Sequence, residues 1–115
     1  MHDDPVKPFQ EPTYLILVAL ADGERYGYGI IQEIESLSKG AVRLGPGTLY
    51  GALDRLGAEG LVEATRTEVV DGRHRRYYRL TEQGLDAVQT EARRRLAMAN
   101  AVSRRLRAIP GGAVT

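Results

Sequence analysis

Cysteine is missing from this 115-residue chain, which excludes disulfides, thiolate zinc sites and cysteine nucleophiles. Tryptophan is missing as well, and phenylalanine occurs once. No apolar run approaches the roughly 20 residues that a membrane span needs. The N-terminus MHDDPVKPFQEP is acidic and proline-bearing, the opposite of a basic-then-apolar signal pattern. His2 and His74 lie far apart and have no metal-ligand spacing, so no metal or cofactor is expected. No nucleophile–base pair and no phosphate-cradling loop is present, and Glu33 and Glu35 have no partner that would suggest acid–base catalysis. These absences argue against an enzyme. They fit a cytoplasmic chain with no membrane partner and room for one modest core.

Charge of one sign is also lacking overall, since the net charge is +1. Its distribution is uneven. Asp3, Asp4, Glu11, Asp22 and Glu24 stand against Lys7 in the first stretch, whereas Arg66, Arg73, Arg75, Arg76 and Arg79 crowd the stretch from Leu61 to Leu80. A local patch, more than the total, steers a polyanion.

That basic stretch follows a segment with both ends marked. Pro46 suits the first position of a helix, and Gly60 suits the left-handed residue just past its end. Leu49, Leu53 and Leu56 fall at i, i+4 and i+7, one apolar stripe, and Leu61 can fold back onto Leu56. Thr48, Tyr50, Gly51, Asp54 and Arg55 are left facing away from the core. Leu61 to Val70 and Arg73 to Leu80 then flank Asp71-Gly72, a dipeptide that supplies positive φ to a tight hairpin turn. A capped helix followed by an Arg-rich hairpin predicts a winged helix-turn-helix. The helix is placed for a DNA major groove and the hairpin for phosphates.

Around this unit the pattern predicts three more helices. One runs from Pro12 to about Ala21, apolar almost all round, which suggests that a partner chain covers part of it. A second runs from Tyr26 to Ser38, with Ile30, Ile31, Ile34 and Leu37 inward and Gly40 as a cap. The last opens at Thr81, a good N-cap, with Glu82 and Glu91 early and arginines late. Its apolar positions, Leu85, Val88, Ala92, Leu96, Ala99, Val102, Leu106 and Ile109, are spaced by threes and fours over a length that one small core cannot cover. The expected architecture is mainly α with a small β-hairpin. Residues 1–10 form a flexible tail and 11–80 the winged helix-turn-helix. Residues 81–109 form a long C-terminal dimerisation helix, and 110–115 a disordered end.

The blocks YGYGIIQEI (Tyr26 to Ile34), PGTLYGALDRLGAEGLV (Pro46 to Val62) and RRYYRLTEQG (Arg75 to Gly84) make the chain resemble the PadR-type transcriptional regulators, over about residues 12 to 109. With one C-terminal helix it is similar to the short-tailed branch of that family. The resemblance implies a homodimeric repressor that pairs through its first and last helices and binds a palindromic operator. It also implies release by a small hydrophobic or phenolic effector seated near the dimer interface. Gly29, Gly51 and Gly57 depart from the residues common in the family. The two within the third helix loosen it by roughly 1 kcal/mol each relative to alanine. Without tryptophan, the stacking of flat aromatic drugs seen in some relatives does not carry over.

Candidate residues follow. Pro46, Gly47, Thr48 and Tyr50 are expected at the DNA, with a Thr methyl for a thymine methyl and a Tyr hydroxyl for a phosphate. Against this stand capping for Thr48 and packing for Tyr50. Arg73, Arg75 and Arg76 are expected on phosphate or in a minor groove, against a plain solvated turn; His74 is a wing residue. Of Tyr77 and Tyr78, on opposite faces of one strand, one should pack on the helices. Dimerisation is expected through Tyr14, Leu17, Leu85, Val88, Ala92, Leu96, Ala99, Val102 and Leu106. Tyr14 and Tyr28 could offer polar handles to an effector, and Arg93, Arg94 and Arg95 form a solvated face. The rival to double-stranded DNA as partner is a winged-helix protein-interaction module without sequence-specific DNA binding, which usually lacks a basic wing.

Overall fold

The computed structural model describes residues 8–111. Its order is α1 (Glu11–Ala19), β1 (Arg25–Tyr26), α2 (Gly27–Leu37), α3 (Pro46–Ala58), β2 (Val62–Val70), β3 (Arg73–Leu80) and α4 (Glu82–Arg107). The strands form one antiparallel sheet in the order β1-β3-β2. This is a mainly helical winged fold with a long last helix.

Local chemistry sets the ends. Pro46 opens α3. Beyond it Gly60 takes φ +79°, its N–H donates to Gly57, and the Leu61 N–H donates back to Leu56 at 2.9 Å. These are the paired bonds of a Schellman cap, with the Leu56 and Leu61 side chains both buried. The same bonds end α2, through Lys39 to Ser36 and Gly40 to Glu35. There Lys39 takes the left-handed position (φ 52°) beside Gly40, which alone was the expected cap. The Ser38 side chain then accepts from the Val42 N–H at 2.9 Å and shapes the turn into α3. Asp71 and Gly72, with φ of 50° and 75°, make the tight turn of the hairpin. Thr81 caps α4: its hydroxyl donates to the Gly60 carbonyl at 2.6 Å and accepts from the Gly84 N–H at 3.0 Å.

The core gathers Ile16, Leu17 and Leu20 of the α1 region, Ile30 and Ile34 of α2, and Leu49, Leu53 and Leu56 of α3. It closes with Val62, Tyr78 and Val88. The chain itself therefore covers more of α1 than expected. Ile16, Leu17, Ala19 and Leu20 are buried, and Tyr14, Leu15 and Val18 are half-buried. Leu37, expected inward, is exposed because the last buried residue of α2 is Ile34 and Leu37 stands at the helix end, three residues beyond it.

No sequence pattern predicts β1. It is two residues long, too short to show a period, and it exists because β3 offers it an edge at Tyr77 and Tyr78. Part of the expected N-terminal tail is held in place. Residues 1–7 lie outside the described residues, but Phe9 packs on the core and its carbonyl accepts from Arg95 at 2.9 Å. Arg95 also bonds Glu91 at 2.9 Å and lies 4.1 Å over the Tyr14 ring. Glu91 is 3% exposed and meets Arg94 as well, so Arg94 and Arg95 are partly covered, in contrast to a solvated face. At the other end, Pro110 and Gly111 form a turn, and residues 112–115 lie outside the described residues.

Candidate nucleic-acid interface

The first turn of α3 is presented to solvent. Pro46, Gly47 and Thr48 are exposed while Leu49, Ala52, Leu53 and Leu56 are buried behind them. Thr48 is not a side-chain cap, because the residue at the N-cap is Gly45. Tyr50 is 41% exposed, but its hydroxyl end lies against Gly27, where an added methyl would press on the ring. Gly27, which the sequence reading did not single out, thus gives Tyr50 a place to rest. The phenol is seated against α2 along one edge and open along the other.

The hairpin sorts its charges by face. Alternation along β3 places Arg73, Arg75, Tyr77 and Arg79 on one side and His74, Arg76, Tyr78 and Leu80 on the other. The second side faces α3. Tyr78 is buried there, and burial pushes its hydroxyl pKa up; Arg76, Tyr50 and Asp54 are near enough to add smaller effects. Thr67 and Val69 of β2 pair with Arg76 and His74, so on this side the part of the hairpin beyond the core carries no acid.

The strand acids Glu63 and Glu68 lie on the opposite side and are occupied. Arg66 bonds Glu24 at 2.7 Å and Glu68 at 2.8 Å, and stacks 3.9 Å over Tyr77. Arg79 bonds Glu63 at 2.7 Å. Arg75 lies 4.5 Å over Tyr26, opposite Glu68 in register. The hydrogen bonds from Arg66 hold the Glu24 and Glu68 carboxyls below the usual carboxylate range, and the same bonds raise the Arg66 pKa. The basic cluster of the sequence therefore divides. Arg66, Arg75 and Arg79 serve the back of the sheet, whereas among the described residues neither Arg73 nor Arg76 forms an ion pair. Arg73 and His74 sit beside the turn and Arg76 on the α3 side. Of the expected wing contacts, Arg73 and Arg75 share the side turned away from α3, Arg75 over Tyr26 and Arg73 at the turn.

The expected dimerisation residues also divide. Leu17 and Val88 belong to the chain's own core, and Tyr14 is half-covered by Arg95. Leu85, Ala92, Leu96, Ala99, Val102 and Leu106 are exposed, Leu96 at 63%. Tyr28 lines a groove with Gln32, Glu35, Ser36 and Gly40, all on α2 and the turn that follows it.

The profile of the transcriptional regulator PadR-like family matches residues 16–90. A transcriptional regulator of Mycobacterium tuberculosis is 48% identical over 81 residues, covering 70% of this chain and 71% of its own length. A PadR family transcription regulator from Clostridium difficile has a similar solved structure, with TM-score 0.68 and 25% identity over 82% of this chain and 96% of that one. Bacillus subtilis PadR, solved in complex with operator DNA, shares the fold at TM-score 0.62 and 24% identity, over 70% of this chain and 46% of its own. The chain belongs to the PadR-like family of transcriptional regulators, a family of regulators and not of enzymes.

Proposed function

We propose that this chain is a homodimeric repressor that binds a palindromic operator in double-stranded DNA in the cytoplasm. The observation that carries the reading is the sorting of charge. The wing side that carries His74 and Arg76 is the one on which Tyr78 packs toward α3, whose first turn is exposed, and the strand carboxylates Glu63 and Glu68 are bound on the far side. In this reading Thr48 and the open edge of Tyr50 meet bases and sugar, while Arg73 and Arg76 meet phosphate. A protein-interaction module has no need for such a face. Pairing uses the exposed stripe of α4, Leu96, Ala99, Val102 and Leu106, together with α1. Two protomers then set their α3 helices about 34 Å apart, one turn of duplex.

Release by a hydrophobic or phenolic effector is the regulatory half of the proposal. A cavity of about 590 Å³ lies between Pro8–Phe9, the Glu59–Leu61 corner and α4, at the root of the proposed pairing surface. A ligand there that changed the angle of α4 would break the match to successive grooves.

A mobility-shift assay tests the core of the reading, with duplex from upstream of the chain's own gene set against random duplex. A retarded band that random DNA does not compete away supports it. Equal, weak binding to every duplex refutes the operator, and no binding at low salt refutes DNA as partner. A panel of phenolic acids and hydrophobic compounds titrated into the complex tests release; compounds that bind without altering operator affinity refute it.

A further inference from the structure

The wing outgrows its support. Beyond the pairing of β1 with Tyr77 and Tyr78, β2 and β3 continue as a two-stranded ribbon from Thr67/Arg76 out to Val70/Arg73. Such a ribbon alone is marginally stable. The register between β2 and β3 also shifts between Ala64 and Arg66, between the two rows that β1 pairs and just before the ribbon begins. A bulge of this kind bends and twists the strand that carries it. The wing's direction is thus decided at Thr65, and something must hold it there.

Glu24 does so. It stands one residue before β1, on the far side of β3 from β2, and it reaches both residues next to the bulge. Its carboxylate accepts from the Thr65 hydroxyl at 2.7 Å and from Arg66 Nε at 2.7 Å. Arg66 carries the connection outward to Glu68 at 2.8 Å, and Glu68 accepts the Tyr77 hydroxyl at 3.1 Å. The Tyr77 ring meets Tyr26 at 5.6 Å, and Arg75 closes over Tyr26. Every member lies on the side of the hairpin turned away from α3.

From this geometry we infer that Glu24 and Arg66 are positioning residues for DNA binding: they fix the angle between the wing and α3 without touching DNA. The inference rests on the DNA-binding reading above. It also sets two effects of opposite sign against each other. Removing the Glu24 charge lowers the repulsion felt by a polyanion, so electrostatics alone predicts tighter binding. Loss of the brace predicts weaker binding.

The test uses the full chain and Glu24→Ala, with Arg66→Lys as a second variant that keeps the charge but loses the fork. Two readouts are taken. Hydrogen exchange without DNA compares peptides spanning residues 67–76 with those of the α2–α3 core. Affinity for the retarded duplex is then measured across a salt series. The expected result for both variants is faster exchange confined to the wing, and affinity lower by roughly threefold to tenfold, the scale of a lost exposed ion-pair network. The salt slope should stay that of the wild type, because no phosphate contact is lost. Unchanged wing exchange, wild-type or tighter DNA binding by Glu24→Ala, or a shallower slope in Arg66→Lys would each overturn the inference. If the wild type itself binds no duplex, the DNA reading is what fails, and wing exchange still decides whether Glu24 is the brace.

Discussion

Gly84 gives the sharpest stability test. It lies in the first turn of α4, and its N–H is the one that Thr81 caps. A methyl built on it would penetrate the Leu61 carbonyl oxygen and stand 3.0 Å from the Leu61 carbonyl carbon and 3.3 Å from its Cα. These are backbone atoms, and the same carbonyl accepts the Thr81 N–H at 3.1 Å, so no side-chain rotation relieves the clash. Glycine to alanine inside a helix normally stabilises by about 1 kcal/mol. Forcing a group into a packed site costs about 1–3 kcal/mol. At Gly84 the second effect wins, because α4 must be levered off the α3–β2 corner. Gly51 in α3 is the control: its added methyl would meet nothing nearer than the Arg55 guanidinium at 3.7 Å. Gly84→Ala should be about 1–2 kcal/mol less stable than wild type and Gly51→Ala about 0.5–1 kcal/mol more stable. Thermal and urea unfolding at one fixed protein concentration would measure both, since association shifts apparent stability. The gap between the variants corresponds to roughly 10 °C in Tm for a chain of this size. A Gly84→Ala protein as stable as Gly51→Ala would refute the reasoning.

Three further outcomes are expected. Arg76→Ala should make the salt dependence of operator binding shallower by roughly two units per dimer, one for each wing, whereas Arg75→Ala should leave the slope nearly unchanged; equal slopes in the two variants would show that the faces of the hairpin are not distinct in the complex. Glu24 and Glu68 have depressed folded-state pKa values, so their contribution is complete above the unfolded value, roughly 4.3, and is lost as pH falls through the folded values. Wing amides should therefore exchange faster than core amides as pH drops below about 4, once intrinsic rates are divided out, and Glu24→Gln should flatten that difference. Leu96→Asp combined with Val102→Asp should give monomers in sedimentation while keeping most of the helical circular dichroism; a persistent dimer would place the pairing surface elsewhere.

Where the sequence was legible, the controlling physics is local. Pro46, Gly60 and Leu61 act within one turn of α3, and Asp71-Gly72 and Thr81 need only their neighbours, so their roles are visible without the fold. The leucine stripe of α3 works in the same way. What stayed hidden depends on partners distant in sequence. The Glu91–Arg95 pair is an i, i+4 contact of one helix, but nothing nearby announces that Arg95 also bonds the carbonyl of Phe9. Glu24 reaches Thr65 and Arg66 across β3. The arginines of the hairpin read as one patch because composition ignores the alternation of strand faces, and a bulge at Thr65 shifts that alternation just before the two-stranded ribbon begins. The seat of Tyr50 on Gly27 joins two helices and leaves no periodic trace in either.

The Arg95 clasp divides α4 along its length. Up to Arg95 the helix is fastened to the body through Val88, Glu91 and the Phe9 carbonyl; beyond it, its residues are exposed apart from a half-covered Ser103. With 26 residues at 1.5 Å each, the helix is about 39 Å long, and its last dozen residues form a free arm of nearly half that length. In the proposed dimer, substitutions in the arm change which copies assemble without disturbing the hydrophobic packing that presents α3 and the wing. Related chains in one cell could thus diverge in partner choice while keeping the same half-site, or exchange half-sites while keeping the same partner.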